Sequence, residues 1–259
     1  MHKTILASVS IAALGVSTAM AADLSAMPTK APNFVAAPSW TGFYVGLNAG
    51  YAWGNSEGTA IETSTFSRAN GWGSMAIPSL KPEGFIGGGQ IGYNWQSGSW
   101  VLGAEADFSG MSAKTDQSVN PFFSGKSFSS ASYSSKYDWL ATARLRAGVT
   151  LAQNWLVYVT GGLAVTRVSD SIAGAPHGAG ALDLLLPYAD SKTLVGGTVG
   201  AGVEYAFAQN WSVKAEYLYA KFENTTPTLT DTSNYGAVGP IASFKHDLST
   251  ARAGINYRF

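Results

Sequence analysis

The residues best suited to chemistry in this sequence are eight ionisable side chains that lie near short turns and balance in charge. The acidic members are Glu105, Asp107, Glu204 and Glu216, and the basic members are Arg144, Arg146, Lys214 and Arg252. Charges that are removed from water have to be paired. If these side chains point into a narrow closed sheet, we expect them to pair with one another and block its middle. The alternative is that some of them lie unpaired at the rim.

A glycine-rich run from Gly87 to Gly92 matches the G-x-G-x-x-G pattern of dinucleotide-binding proteins. That function needs the run in a turn between a strand and a helix, where the helix N-terminus meets the pyrophosphate. Here the run lies inside a predicted strand, and no helix follows it. We therefore interpret these glycines as positions where a neighbouring strand or side chain approaches closely.

Residues typical of catalysis or metal binding are scarce. The chain has no cysteine, which excludes disulfides, thiolate metal sites and a cysteine nucleophile. After removal of the predicted signal peptide only His177 and His246 remain, without the spacing of a zinc site or a nucleophile elbow. We expect no enzyme, no metal and no cofactor, and two solvated histidines in a loop or at a rim. Weak ligation of hemin iron by these histidines is the alternative.

The elements that must position these groups are strands, because apolar residues alternate with small or polar ones at a period of two. In the first segment, Phe43, Val45 and Leu47 are separated by single residues of the opposite face. Eight such segments recur along the chain, at about 40–54, 83–95, 100–110, 137–151, 155–166, 193–207, 211–221 and 246–259.

Short and long connections alternate between these segments. The short ones are 97–99, 152–154 and 208–210, and each is followed by a tryptophan. The long ones, rich in Ser, Thr, Gly and Asn, are about 55–82, 111–136, 167–192 and 222–245. Short turns at one end and long loops at the other are typical of membrane barrels. Eight strands are the prediction, although two loops are long enough to hold a further hairpin, which would give ten.

Composition indicates which face of the sheet meets the surroundings. Charged residues make up 12% of the chain, against about 25% in ordinary soluble proteins. A soluble barrel would need many charges on its exterior, whereas the face opposite the apolar one holds mostly small residues and a few ions. The balanced net charge also argues against a nucleic-acid partner. We predict an all-β fold, an eight-stranded antiparallel transmembrane β-barrel with apolar side chains outside and hydrophilic ones enclosed.

Aromatic residues gather at the two ends of the predicted strands. Those beside the short turns are Trp95, Trp100, Trp155 and Trp211, and those toward the long loops are Tyr51, Trp53, Tyr137, Trp139, Tyr217 and Tyr219. Two aromatic belts separated by an aliphatic band are expected at the two interfaces of a membrane.

Both ends of the chain carry features of export. Residues 1–21 combine a basic start, an apolar stretch shorter than the about 20 residues that span a bilayer, and a small-x-small cleavage site, which predicts a signal peptide. Residues 22–40 are rich in Ala and Pro and predict an extended periplasmic linker, so that the barrel covers 41–259. The C-terminal Ile255, Tyr257 and Phe259 share one face and are similar to the signal that the bacterial barrel-assembly machinery reads.

Seven strand segments carry recognisable motifs. They are residues 40–51 (WTGFYVGLNAGY), 88–95 (GGQIGYNW), 102–107 (LGAEAD), 139–148 (WLATARLRAG), 157–162 (VYVTGG), 200–205 (GAGVEY) and 252–259 (RAGINYRF). Together they resemble the small outer-membrane proteins of alphaproteobacteria, often labelled outer membrane immunogenic protein or porin-family protein, within the OmpA/OmpX-like barrel group. The resemblance runs from the first predicted strand to the eighth, over nearly the whole chain after the signal peptide, while the long loops carry no motif.

The resemblance implies an abundant envelope protein that supports outer-membrane integrity and is exposed to host immunity, with no catalytic residues. Some relatives are described as binding hemin or acting as adhesins. We expect a monomeric barrel that strengthens the cell outer membrane and displays its loops, in contact with outer-membrane lipid, lipopolysaccharide and the barrel-assembly machinery. One alternative is a narrow pore for small solutes, and the other is a surface receptor or adhesin for a host or hemin ligand.

Overall fold

The structure is a computed structural model that describes residues 39–61, 75–119, 122–123, 126–127, 131–152, 154–174, 188–224 and 241–259. The predicted signal peptide, nearly all of the predicted linker and His177 lie outside these ranges. Within them, every regular element is a β-strand.

Twelve strands are found in the described part of the chain, and eight of them are at least 12 residues long. In chain order they are β1 (Gly42–Ile61), β2 (Met75–Leu80), β3 (Glu83–Ser97), β4 (Trp100–Met111), β5 (Lys114–Val119), β6 (Phe122–Phe123), β7 (Lys126–Ser127), β8 (Ala131–Leu151), β9 (Trp155–Gly174), β10 (Tyr188–Ala206), β11 (Trp211–Phe222) and β12 (Ile241–Arg258).

The eight long strands close into an antiparallel barrel in the order β1-β12-β11-β10-β9-β8-β4-β3, and β3 pairs back onto β1. The short β2 pairs with β1 only from Ser56 onward, and β5 pairs with β8 only from Lys136 back to Ala131. These two strands therefore extend the wall at its outer end without entering the closed ring. The predicted eight-stranded barrel is confirmed, and the ten-stranded alternative is wrong for the ranges that the structure describes.

Several strands run further than the sequence pattern predicted. β1 continues to Ile61, β8 begins at Ala131, β9 ends at Gly174 and β12 begins at Ile241, so parts of the predicted long loops are strand. Beyond the membrane both faces of the wall meet polar surroundings. The alternation of apolar and polar residues therefore fades, although the backbone ladder continues.

The side chains of the wall alternate between two faces, and the apolar ones point outward. On the outer face Leu47, Leu145 and Val159 are 67%, 71% and 62% exposed. An apolar exterior of this extent is stable against lipid and unstable against water. The wall therefore spans a membrane, with the short turns facing the periplasm and the long connections facing outward.

A β-bulge in β8 changes one predicted orientation. The sequence pattern placed Tyr137 in the outer aromatic belt, but the register between β8 and β9 shifts between Tyr137 and Trp139. An extra residue in a strand turns the preceding side chains to the opposite face. The prediction for Tyr137 is therefore wrong, because its ring is fully buried inside the barrel. Trp139 stays outside and stacks on Phe108, with ring centroids 5.7 Å apart.

Candidate functional site in the barrel interior

The structure brings all eight predicted ions together inside the barrel. They lie on β4, β8, β10, β11 and β12, and each is at most 5% exposed. Residues two apart share a face of a strand, which places both members of each pair on β4, β8 and β11 inside. The register sets acids opposite bases on neighbouring strands: Glu105 faces Arg144, Glu204 faces Lys214, and Glu216 faces Arg252.

Glu105 lies at the centre of this network and has partners on both carboxylate oxygens. It accepts a hydrogen bond from Arg144 and two from Lys214, whose Nζ is 3.1 Å from Oε1 and 3.0 Å from Oε2. The Tyr44 hydroxyl donates to Oε2 at 2.7 Å, and Arg146 Nη1 lies 3.9 Å from the same oxygen. A buried carboxylate is tolerated when its oxygens are occupied in this way.

Two arginines link Asp107 to Glu216. Arg252 places Nη1 2.8 Å from Asp107 Oδ1 and Nη2 2.6 Å from Glu216 Oε2. Arg144 places Nη2 3.1 Å from Asp107 Oδ2 and Nη1 3.1 Å from Glu216 Oε1. Thr142 also donates to Asp107. Because each planar guanidinium bridges carboxylates from two different strands, the network ties separate parts of the wall together.

Glu204 and Arg146 occupy the periplasmic side of the network. Arg146 Nη1 lies 3.1 Å from Glu204 Oε2, and its Nε donates to Asn94 Oδ1 at 2.7 Å. The second oxygen of Glu204 accepts from Ser212 Oγ at 2.5 Å and from Asn256 Nδ2 at 2.9 Å. Every carboxylate in the network thus has both charged and neutral donors.

Two tyrosines cover the Arg146 guanidinium, and two glycines make room for them. The guanidinium carbon lies 4.8 Å from the ring centroid of Tyr44 and 5.1 Å from that of Tyr158, within reach of a cation–π interaction. A Cβ at Gly92 would overlap Tyr44, and one at Gly202 would overlap Tyr158. Gly92 belongs to the glycine-rich run, whose structural interpretation agrees with this close approach.

Sequence reasoning missed a chain of amides beside the ions. Asn48 Nδ2 donates to Gln90 Oε1 at 3.0 Å, and Gln90 Nε2 donates to Asn256 Oδ1 at 2.6 Å. The Ser109 hydroxyl donates to Asn48 Oδ1 at 3.2 Å. The signal that could have found them is their inward position in the period-two pattern. Uncharged amides are also common in loops, so their residue type alone does not single them out.

An apolar cluster closes the periplasmic end of the interior. Its members are Trp40, Val101, Leu156, Tyr158 and Ala206. Trp40 is fully buried, its backbone N–H donates to Gln96 Oε1 at 2.8 Å, and the Arg258 guanidinium carbon lies 4.8 Å from the centroid of its ring. The predicted linker ended at Trp40, but this side chain forms part of the barrel interior.

A second and larger apolar cluster fills the interior on the outer side of the ions. Its members are Ala52, Ile86, Met111, Ala113, Tyr137, Leu140, Ala164, Val168, Leu194, Ala220, Phe222 and Leu248. The predicted enclosure of hydrophilic side chains holds for the middle of the barrel but not for its two ends, since the ions form a middle layer between two apolar layers. A closed interior has to be filled at normal packing density, and apolar side chains fill it without needing hydrogen-bond partners.

His246 lies inside the barrel rather than at a solvated rim, so that prediction is wrong. It is 2% exposed, and its Nδ1 is 3.4 Å from Ser56 Oγ and 3.3 Å from Tyr137 Oη. His246 lies two residues before Leu248 on β12, so the two side chains share the inward face of this strand. The buried imidazole offers no exposed face to an external hemin iron. Within the described ranges, no three His, Asp or Glu side chains form a group that could hold a metal ion.

The predicted belt tryptophans lie on the outer face at both ends of the wall. Beside the short turns Trp95, Trp100, Trp155 and Trp211 are 42–64% exposed, and toward the outer end Trp53 is 39% exposed. At the C-terminus, Ile255 and Phe259 are exposed outward, and the ring of Phe259 contacts that of Tyr257 with centroids 5.2 Å apart. The role of these three residues in assembly stays a prediction.

Comparison with known proteins places this fold in a family. Residues 9–259 match the family described as outer membrane protein beta-barrel domain. The chain is 38% identical to the 31 kDa outer-membrane immunogenic protein of Brucella melitensis biotype 1, over 100% of both chains. It is 30% identical to the 22 kDa outer membrane protein of Rhizobium leguminosarum bv. viciae, over 86% of this chain and 80% of that one.

Among solved structures, the chain aligns with the outer membrane protease OmpT of Escherichia coli at 12% identity and a TM-score of 0.49, over 84% of this chain and 97% of that one. The curated relatives in Brucella and Rhizobium carry names of outer-membrane proteins and not of enzymes. Because the family match spans nearly the whole chain, the protein belongs to the family of outer-membrane β-barrel proteins.

Proposed function

We propose that this outer-membrane protein is a closed structural barrel that strengthens the membrane and displays its long loops, without enzymatic activity. The observation that supports the proposal is the filled interior. The side chains of the periplasmic cluster, the ion network and the outer apolar cluster are all at most 8% exposed. A solute would have to displace three successive layers to cross.

The direction of the ion pairs also supports a structural role. Lys214 on β11 binds Glu105 on β4, and Arg252 on β12 binds Asp107 on β4. These strands are not neighbours in the ring, so the pairs act as struts across the barrel. Such cross-barrel ion pairs resist flattening of the barrel. A protein that stiffens a membrane requires this resistance.

The protein is expected to show no steady open-state current when it is inserted into planar lipid bilayers. Among the residues that the structure describes, the ion layer and the two apolar layers fill the interior, whereas large porins enclose an aqueous path. A 16-stranded porin inserted under the same conditions serves as the positive control, and a heat-modifiability gel verifies that the inserted protein is folded. Ohmic, steady currents from the folded protein would favour the alternative of a narrow pore.

A strain that lacks this protein is expected to become more sensitive to detergents and to large hydrophobic antibiotics, and expression of the full chain should restore resistance. The physical reason is the loss of rigid, internally cross-linked barrels from the outer membrane. Rates of small-solute uptake should change little. A strain with a normal permeability barrier and slow uptake of small solutes would contradict the structural role and favour transport.

A further inference from the structure

His246 takes part in a contact that crosses the full width of the barrel near its outer end. Its Nδ1 lies 3.3 Å from the Tyr137 hydroxyl on β8 and 3.4 Å from the Ser56 hydroxyl on β1. In the closed ring β12 and β8 are separated by three strands in either direction, so they lie on opposite walls. We call His246, Tyr137 and Ser56 the outer cross-barrel contact.

Tyr137 reaches this contact because of the β-bulge in β8. The register between β8 and β9 shifts between Tyr137 and Trp139, and this shift turns the Tyr137 side chain inward. Its fully buried ring meets the His246 ring edge-on, with centroids 6.4 Å apart. The bulge therefore supplies the hydroxyl that faces His246 from the opposite wall.

The contact lies beyond the membrane-spanning part of the wall. Ser249 is directly opposite Trp53 of the outer aromatic belt, and His246 is three residues further along β12, opposite Ser56. Three residues of a strand span about 10 Å, which places His246 past the belt. On its membrane side lies the outer apolar cluster, to which Leu248 and Tyr137 belong.

The charged groups around His246 come from several strands. In the described part of the outer end, Asp170 on β9 and Lys192 on β10 face inward, since each lies two residues from a buried apolar side chain. Asp247, next to His246 on β12, accepts the Tyr219 hydroxyl at 3.4 Å. The charged side chains that lie on the outer face are those of Lys81, Glu83, Lys114, Lys136, Arg167, Lys221 and Lys245.

Burial keeps the His246 imidazole neutral at neutral pH. Its removal from water lowers the pKa of His246 below the usual 6.5, and this effect outweighs the attraction of the Asp170 and Asp247 carboxylates. An opened outer end returns the imidazole to its usual pKa, so the opened state binds the proton more readily. The closed outer end is therefore fully stable above about pH 6.5 and loses stability as the pH falls toward the lowered pKa.

We propose that the outer cross-barrel contact is a pH-sensitive closure of the outer end of the barrel, intact at neutral pH and released by protonation of His246. A protonated Nδ1 can no longer accept a hydrogen bond from either hydroxyl, and the new charge lies among buried side chains. Release separates the outer parts of β1 and β12 from β8. The inference goes beyond the proposed structural function, because it makes the arrangement of the displayed loops depend on the acidity outside the cell.

The test is hydrogen–deuterium exchange of the full, folded chain in detergent micelles at about pH 7.5 and about pH 5, on either side of the usual histidine pKa. The results are expressed as protection factors, which removes the intrinsic pH dependence of exchange. Protection in residues 54–61, 131–137 and 241–248 is expected to fall about tenfold at the lower pH. Protection in the membrane-spanning parts of the same strands should stay unchanged, because the ion network still holds them.

Three variants separate His246 from its neighbours. His246→Gln keeps a neutral hydrogen-bonding side chain that cannot be protonated, so its outer strands should have equal protection at both pH values. Tyr137→Phe removes one partner and should lower protection about fivefold already at neutral pH, the usual effect of losing a buried hydrogen bond. The matched control Tyr219→Phe removes an outward hydroxyl bonded to Asp247 and should keep the native response to pH.

Three results would overturn the proposal: an acid response that persists in His246→Gln, a native chain that does not respond, and an equal loss of protection in the membrane-spanning strands. A second measurement needs no substitution at His246. In a chain labelled with ¹⁵N-histidine, the imidazole signal of His246, identified by comparison with His177→Gln, should titrate below pH 6.5, and a midpoint at or above that value would also contradict the proposal. Neither measurement depends on the strengthening of the membrane, which detergent sensitivity of the strain tests separately.

Discussion

Replacing Arg144 by methionine is expected to lower the free energy of unfolding by about 3–5 kcal/mol, because it leaves buried carboxylates without their partner. Arg144 contacts Glu105, Asp107 and Glu216, and its side chain is 0% exposed. Methionine keeps much of the side-chain volume, so the decrease in the free energy of unfolding results more from the missing charge than from a cavity. The measurement is urea unfolding of the folded protein in detergent micelles, followed by tryptophan fluorescence.

The matched control for this prediction is Lys136→Met. That side chain is also ion-paired, with Asp138 at 2.8 Å, but it is 50% exposed. An exposed pair contributes about 0–1 kcal/mol. The double variant Glu105→Gln/Arg144→Met removes one charge of each sign and should recover part of the stability lost by Arg144→Met. A loss in Arg144→Met no larger than in Lys136→Met would contradict the assignment of a buried ion network.

The fold could be predicted from the sequence because lipid and interior impose opposite demands on successive residues of each strand. Segments such as Val157 to Val159 keep this alternation for as long as they cross the membrane. The extension of β8 back to Ala131 could not be predicted, because outside the membrane the two faces of a strand do not have to differ in polarity. The bulge between Tyr137 and Trp139 could not be predicted either, since one unpaired residue in the ladder does not change the local composition of the sequence.

The members of the ion network could be predicted individually, but their partners could not. Charge makes up only 12% of the chain, so Glu105 and Arg144 are conspicuous on a strand face that otherwise holds small residues. Contacts such as Lys214 with Glu105 depend on how strands on opposite sides of the ring are staggered. That stagger is set by barrel closure and is not encoded in the spacing within any one strand.

The two apolar layers were missed because an inward apolar residue resembles an outward one. Leu218 lies between Tyr217 and Tyr219, and the sequence offers no contrast between the two faces there. In the structure Leu218 is 1% exposed and Tyr217 is 46% exposed. Residues that close the outer half of the barrel are therefore identified by their position relative to the wall and not by their type.

Replacing Trp40 by alanine is expected to destabilise the barrel by about 3–5 kcal/mol, the usual cost of truncating a buried aromatic side chain. The indole is fully buried, and Arg258 covers it from the last strand. Arg258 is in turn held to the last short turn, since its N–H donates to Asn210 O at 2.8 Å and the Asn210 amide donates back to Arg258 O at 2.6 Å. Urea unfolding in detergent micelles measures the loss.

The matched control is Trp100→Ala, which removes the same indole at the same end of the barrel from a position that is 64% exposed on the outer face. Because Trp100→Ala leaves no interior cavity, it should lower the free energy of unfolding clearly less than Trp40→Ala does. Equal decreases in the two variants would contradict the role of Trp40 in packing the periplasmic end of the interior. Trp40→Ala is nevertheless expected to conduct no steady current in planar bilayers. The ion network still blocks the middle of the interior, and a single emptied layer does not make a continuous aqueous path.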